Sequence, residues 1–229
     1  MARFDGKTIV VTGGTGFLGT GVCERLLDEG AHLVLAWVND EELERFPFAD
    51  RCTMSQVDLT DEHAVEAFYE AIGPIWGSIH IAGGFAMSPI ESTSLAEMEA
   101  MMRLNLATAF LCCREAVKAI RAANTGGRIV NVAARPCLEP VGGMLAYSTS
   151  KAAVASLTQC LAKEVHDDRI LVNAIVPSLM DTPSNRSAMA DADFDTWPKV
   201  EEVAAAVAFL ASEENALTTG TLLPVYGRV

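Results

Sequence analysis

A tyrosine and a lysine share the segment Tyr147-Ser-Thr-Ser-Lys151, at the spacing that brings two side chains onto one helical face. An ammonium group beside a phenol favours the ionised phenol and is expected to lower its pKa from about 10 toward neutral pH. A tyrosine with a pKa lowered in this way can give a proton to a developing alkoxide or take one from an alcohol. The pair therefore predicts acid–base chemistry, with an ordinary surface pair as the alternative.

A glycine-rich segment, Thr12-Gly-Gly-Thr-Gly-Phe-Leu-Gly19, lies between a β-branched run and a segment with helical spacing. Glycines at such a turn let the backbone approach a pyrophosphate at the N-terminus of the helix. We assign Gly13 to the tight turn, Gly16 to the close approach and Gly19 to the packing of helix on strand. A plain strand–helix turn is the alternative.

Strand-length apolar runs alternate with segments of helical period along the chain. The predicted strands are Lys7–Thr12, His32–Trp37, Arg51–Val57, Trp76–Ile81, Gly127–Ala133, Arg169–Val176 and Thr221–Val225. The predicted helices are Phe17–Glu29, Glu62–Ile72, Ser94–Ala123, Leu145–Val165 and Val200–Ala211. Buried strands joined by helical crossovers indicate a single α/β domain over residues 1–229 with a doubly wound parallel sheet. Ser178–Pro198 is the least regular stretch, and we predict a mobile substrate loop there.

The composition excludes several classes of protein. Thirty acidic against 17 basic side chains give a net charge of -13, which repels nucleic acid. The N-terminal segment shows neither the long apolar stretch nor the small-residue cleavage site typical of a signal peptide, and no apolar run is long enough to span a membrane. The six dispersed cysteines indicate reduced thiols of a cytoplasmic protein, and the four histidines share no metal-ligand spacing. We therefore expect a small-molecule substrate and no metal.

The order of the motifs resembles the short-chain dehydrogenase/reductase family: TGGTGFLG, IAGG, an Asn in a long helix, YxxxK, and VNAIVPSLMDTP. The resemblance runs from Thr8 to Gly227. It implies a Rossmann-type sheet of about seven strands, a nicotinamide cofactor and hydride transfer. It makes Tyr147 the acid/base, Lys151 the ligand of the nicotinamide ribose, and Asn105 the residue that holds a proton-relay water. It also implies a homodimer or homotetramer formed through the two longest helices.

The turn and the resemblance together predict the cofactor contacts. Asp58 would contact the adenine and Thr182 the carboxamide. The full set is Gly13, Thr15, Gly16, Phe17, Leu18, Trp37, Asp58, Leu59, Ala82, Gly83, Gly84, Lys151, Pro177 and Thr182.

The choice between NAD and NADP depends on the end of the second strand, where NAD-binding proteins carry an acidic residue. Trp37 occupies that position, and no Arg or Lys stands beside it. Asp40 follows late, and it is equally explained as the cap of a helix starting at Glu41. The cofactor is NAD or NADP, and the lack of a basic residue favours NAD.

The main departure from the family is Ala134, which stands where a serine should polarise the substrate carbonyl. Dihydropteridine reductases keep the Tyr–Lys pair without that serine, and Ala82-Gly83-Gly84 and Asp181–Trp197 resemble that branch. The expected acceptor is a carbonyl or a conjugated C=N group such as a quinonoid dihydropterin. The alternatives are a general ketone reductase or alcohol dehydrogenase, or a weakly active cofactor-binding regulator. The residues predicted to contact the substrate, with ordinary loop packing as the alternative, are Ala134, Phe85, Met144 and Trp197.

Overall fold

Seven parallel strands form one sheet in the computed structural model, which describes residues 2–228, in the order β3-β2-β1-β4-β5-β6-β7. The strands are β1 Thr8–Thr12, β2 His32–Trp37, β3 Thr53–Gln56, β4 Gly77–His80, β5 Gly127–Val132, β6 Ile170–Pro177 and β7 Leu222–Val225. The predicted single-domain Rossmann-type sheet is confirmed. The strand order reverses direction between β1 and β4, and ligands bind at the carboxyl ends of strands beside such a switch point.

Helices cover both faces of the sheet. They are α1 Phe17–Asp28, α2 Asp40–Arg45, α3 Glu62–Ile72, α4 Leu95–Met101, α5 Thr108–Ala123, α6 Leu145–Glu164, α7 Pro183–Ala188 and α8 Val200–Ala211. Alternate residues of β1 enter two different apolar clusters. Ile9 and Val11 pack with residues of α1 and α8, whereas Val10 packs with residues of α3 and α5. Burial on both faces is the physical reason for the continuous apolar strands.

The long helix predicted over Ser94–Ala123 is interrupted. A π-helical turn, Met102–Ala107, separates α4 from α5. The buried Asn105 lies in this turn, and its amide bonds to groups outside the helix. Single π-helical turns inside α-helices are frequent at functional sites.

The stretch 178–198 is more regular than the predicted loop. Thr182 caps α7, because its Oγ1 accepts a hydrogen bond from Asn185 N at 3.3 Å, and Pro183 follows at the first helical position. The Asp181 carboxylate is held by Arg186 and Lys199, which lowers its pKa. The helix α7 and a 3₁₀ turn at Phe194–Thr196 lie within the predicted loop, whose remaining residues form neither helix nor strand. The mobility of this segment and its role in substrate binding stay predictions.

Candidate active site

The turn after β1 approaches the turn after β4 so closely that it needs glycine. Gly13 has a φ of +66°, and a Cβ atom there would lie 2.6 Å from the backbone nitrogen of Ala82. A Cβ on Gly19 would overlap the Gly13 carbonyl oxygen, so the helix start rests directly on the turn. The backbone therefore forms the narrow floor that a pyrophosphate requires.

The N-terminus of α1 carries no competing group. Gly16 is the N-cap and makes no side-chain capping bond, and the first turn holds no acidic residue. The amides of Phe17 and Leu18 have no partner within the helix, since the first four N–H groups of a helix never do. This end of the helix fits the phosphates of a dinucleotide.

The segment after β4 is held by the π-helical turn. Asn105 Oδ1 accepts from Gly84 N at 3.0 Å, and Asn105 Nδ2 donates to Gly84 O at 3.1 Å and to Ser150 Oγ at 3.0 Å. A Cβ on Gly83 would overlap Asn105 Oδ1 and would lie 3.3 Å from Lys151 Nζ. The structure thus brings Gly83, Asn105 and Lys151 together, and their roles in the reaction stay predictions. The contribution of Ser150 was missed, because the sequence gives no sign of which way its hydroxyl points.

The side chain of Lys151 is held by a hydrogen bond to the sheet. Its Nζ donates to the carbonyl oxygen of Val132, the last residue of β5, at 2.8 Å. The side chain is nearly buried, and this burial lowers its pKa from 10.5 to about 8, although the nearby Cys137 thiol opposes the change. A fraction of the ammonium groups therefore loses its proton in mildly alkaline solution.

Tyr147 lies on the same face of α6, but its pKa moves against expectation. Burial raises the pKa of the phenol to about 12, and the Cys137 thiol adds to the rise. The expected lowering by Lys151 is not found, because burial disfavours the phenolate and the ammonium is directed to Val132 O. The phenol is protonated at neutral pH, so it is ready to donate. The effect of the Cys137 thiol on the pKa values of both residues was also missed, since it depends on the turn after β5.

Ala134 occupies the position of the family serine, and its neighbours Arg135 and Ser148 do not supply a donor in its place. Ala134 is buried at the end of β5. Arg135 turns away, because it pairs with Glu139 at 2.8 Å and lies over the Tyr226 ring at 4.9 Å. Ser148 Oγ is buried and has no hydrogen-bond partner among residues 2–228, so a substrate does not reach it. Neither Arg135 nor Ser148 therefore takes the place of the serine hydroxyl.

The adenosine side of the site lies near the ends of β2 and β3. Trp37 is half-buried, and Leu59 packs against the core. The Asp58 carboxylate accepts from Thr60 N at 2.9 Å and from Thr60 Oγ1 at 2.8 Å, and these bonds lower its pKa.

Residues of α2 add a contact that the sequence did not reveal. From the glycine-rich turn of residues 12–19, which we call the phosphate turn, Thr15 Oγ1 donates to Glu42 Oε2 at 3.0 Å. Asn39, and not Asp40, caps the helix that begins here. The two bonded residues are 27 positions apart, so no local pattern could have paired them.

The predicted substrate residues differ in exposure. Phe85 is 61% exposed and packs edge-on against Tyr147, with ring centroids 5.0 Å apart. Met144 precedes α6 at its N-cap. Trp197 is only 5% exposed and packs on Phe194, which favours the alternative of ordinary packing.

The two remaining cofactor candidates lie beyond β6. Pro177 ends that strand, and the buried Thr182 begins α7. Over residues 2–228 no cluster of His, Cys, Asp and Glu is arranged to hold a metal ion. None of the helices in this described part is sufficiently long and apolar to cross a membrane.

A parallel sheet with a glycine floor, an open helix N-terminus and a Tyr–Lys pair at its carboxyl edge defines the dinucleotide-binding class of oxidoreductases. The family model for short chain dehydrogenase matches residues 7–193. The chain therefore belongs to the short-chain dehydrogenase/reductase family, whose members are oxidoreductases that bind NAD or NADP.

Relatives of known name resemble the chain over nearly its whole length. The 3beta-hydroxysteroid dehydrogenase 1 of Eggerthella lenta is 32% identical over 242 residues, covering 97% of this chain and 93% of that protein. The levodione reductase of Leifsonia aquatica is 30% identical over 253 residues, covering 98% and 94%. A solved structure of ElxO with NADP bound matches with a TM-score of 0.89 at 24% identity, over 96% of this chain and 97% of that one, and shows the shared fold.

Proposed function

We propose that the chain is an NAD(P)-dependent enzyme that transfers a hydride to a carbonyl or conjugated C=N acceptor. The observation that carries this proposal is the arrangement of Tyr147 and Lys151 on one helical face, with Lys151 Nζ bonded to Val132 O at 2.8 Å and close to Gly83. A regulator that only bound the dinucleotide could use Lys151 as a ribose ligand, but it would have no need of the tyrosine four residues before it.

The residues of the chain would divide the work between binding and proton transfer. When bound, the nicotinamide cofactor supplies the hydride. Gly13, Gly16 and the N-terminus of α1 would hold its phosphates, and Gly83 and Lys151 would line the nicotinamide end. Tyr147, protonated at neutral pH, would give its proton to the oxygen or nitrogen of the acceptor.

The preferred acceptor follows from Ala134. Without a hydroxyl at this position, the site cannot polarise a simple ketone by a second hydrogen bond. A conjugated, planar acceptor spreads the incoming charge and depends less on that bond. Within this class a quinonoid dihydropterin is our first candidate, supported by the exposed ring of Phe85 beside Tyr147.

A second candidate is a cyclic ketone and its secondary alcohol. It is favoured by the 3beta-hydroxysteroid dehydrogenase and the levodione reductase, each at least 30% identical to the chain. The apolar residues beside the site, Phe85 and Met87, are each 61% exposed and would suit such a ligand.

The deciding experiment follows the absorbance of NADH and NADPH with purified protein and two panels of acceptors. One panel contains quinonoid dihydropterin, and the other contains cyclic ketones, steroid ketones and the matching alcohols. Turnover in the first panel supports the first candidate, and turnover in the second supports the alternative. Cofactor binding without turnover in either panel would favour the regulator.

Restoring the hydroxyl should separate the two candidates further. We expect Ala134→Ser to raise kcat for simple ketones by about 10²-fold, because one such donor typically contributes that much. The matched control is Ala133→Ser, since the side chain of this neighbouring residue packs in an apolar cluster with Ala155 and Ala174. Steady-state kinetics on both variants provides the measurement, and no gain in Ala134→Ser would mean that the pocket is shaped for another acceptor.

We also propose a homodimer or homotetramer and a cytoplasmic location. Three apolar side chains along α4, the π-helical turn and α5 are exposed: Leu95 by 72%, Leu104 by 40% and Phe110 by 47%. Contact with another subunit would cover them. Light scattering after gel filtration should give two or four times the 24.4 kDa of one chain. A single-chain mass would contradict the proposal.

The cytoplasmic location rests on the six cysteines, which are all free thiols in the structure.

A further inference from the structure

Glu42 reaches from α2 to the phosphate turn. Its Oε2 accepts a hydrogen bond from Thr15 Oγ1 at 3.0 Å, and Thr15 is only 7% exposed. A half-buried carboxylate is therefore fixed against the segment that would carry the phosphates of the cofactor.

The backbone around Glu42 is also held in place. Asn39 Oδ1 accepts from Glu41 N at 2.9 Å and from Glu42 N at 3.2 Å, which starts α2 immediately beyond β2. The strands β1 and β2 are parallel neighbours, with Thr12 opposite Ala36. The phosphate turn and α2 consequently emerge side by side at the same edge of the sheet.

The adenosine half of a dinucleotide runs from the pyrophosphate toward the end of β2, so its ribose would lie beside both segments. The usual acidic residue at the strand end is absent, because Trp37 occupies that position. Glu42 lies five residues later, in α2, and its carboxylate would face the ribose from the helix instead.

We propose that Glu42 makes this end of the site selective for a ribose with a free 2′-hydroxyl, so that NAD(H) binds more tightly than NADP(H). A carboxylate accepts a hydrogen bond from a hydroxyl group, whereas it repels a 2′-phosphate of nearly two negative charges. This inference rests on the proposed function, because it concerns the cofactor of that same site.

Arg45 is the residue that would favour the opposite preference. Its guanidinium lies 5.6 Å from the ring centre of Phe17, next to the turn, and its Nε donates to Glu41 O at 3.1 Å. The first turn of α2 opposes this single cation with three carboxylates, those of Asp40, Glu41 and Glu42. Of these three carboxylates, only that of Glu42 is hydrogen-bonded to the phosphate turn. For this reason we expect a preference for NAD(H) and not for NADP(H).

The test is calorimetric titration of the full chain with NADH and NADPH, which needs no turnover. We expect wild type to bind NADH at least about tenfold more tightly. Glu42→Gln should reduce this ratio about tenfold, chiefly by tightening NADPH, since glutamine keeps an acceptor for Thr15 Oγ1 without the charge. Glu44→Gln, an exposed position on the same helix, is the matched control and should leave the ratio unchanged.

Titration with 5′-ADP and 2′,5′-ADP isolates the adenosine end and should show the same preference. Equal or tighter binding of NADPH to wild type would overturn the proposal and leave the oxidoreductase assignment standing. The same holds if Arg45→Gln weakens NADPH while Glu42→Gln changes nothing. Failure of both dinucleotides to bind would overturn this inference together with the proposed function.

Discussion

Replacing Tyr147 by phenylalanine is expected to lower kcat/KM by about 10²- to 10⁴-fold, the usual contribution of a general acid. The reason is that phenylalanine has no proton to give, whereas the Tyr147 phenol, whose pKa burial raises to about 12, carries its proton at neutral pH. The phenylalanine ring retains the edge-on contact with Phe85, whose centroid lies 5.0 Å away. Steady-state kinetics together with calorimetric titration of the cofactor would separate lost chemistry from lost binding.

The matched control is Tyr226→Phe. This second tyrosine packs under Arg135 through its ring, and phenylalanine preserves that contact. We expect the control to retain wild-type kinetics and Tyr147→Phe to retain wild-type affinity for the dinucleotide. Full activity in Tyr147→Phe would show that the proton comes from elsewhere, and the proposed reaction would have to be abandoned.

Replacing Lys151 by methionine should remove activity and stabilise the protein at once. A buried ammonium whose pKa is lowered from 10.5 to about 8 costs about 3 kcal/mol in the folded state. Methionine avoids this cost but loses the hydrogen bond to Val132 O, which is worth about 1 kcal/mol. The net gain of about 2 kcal/mol corresponds to a rise in melting temperature of about 4–8 °C for a chain of this size.

The sign of this effect depends on pH. Below about pH 8 both the folded and the unfolded lysine are charged, so the full penalty applies and the variant has its greatest advantage. Between pH 8 and 10.5 the unfolded chain binds more protons than the folded one, so wild type gains stability and the difference shrinks. Thermal unfolding at several pH values measures it, with exposed Lys163→Met on the same helix as control. A lower melting temperature for Lys151→Met at pH 7 would contradict the argument.

The sheet could be predicted from sequence because its signals are local and repeated. Apolar runs such as Ile9–Val11 have no explanation other than burial on both faces, and alternation with helices then leaves few topologies. The phosphate turn was predictable for the same reason, since Gly13 and Gly19 are needed by the backbone itself. Short helices such as α7 were missed, because a cap and two ion pairs stabilise it more than any periodicity does.

The electrostatics of the site depend on burial and on distant contacts, which spacing does not encode. Four-residue spacing correctly placed Tyr147 and Lys151 on one face of α6, yet it gave the wrong direction for the tyrosine pKa. Desolvation decided that direction, and it is fixed by residues elsewhere in the chain. Contacts between distant parts of the chain also explain two other features that were missed. These are the hydrogen bond between Thr15 and Glu42 and the effect of Cys137 on the pKa values of Tyr147 and Lys151.

The amide of Asn105 imitates a peptide group. It exchanges two hydrogen bonds with Gly84, as one strand does with its neighbour, and so joins the π-helical turn to the segment that carries Phe85. Leu104, the residue before it, is 40% exposed on the outside of the same turn. A change on that outer surface, such as the docking of a second subunit, is therefore linked through Asn105 and Gly84 to the aromatic ring beside Tyr147. If the proposed subunit contact covers Leu104, assembly and the proposed catalysis would share this single turn of helix.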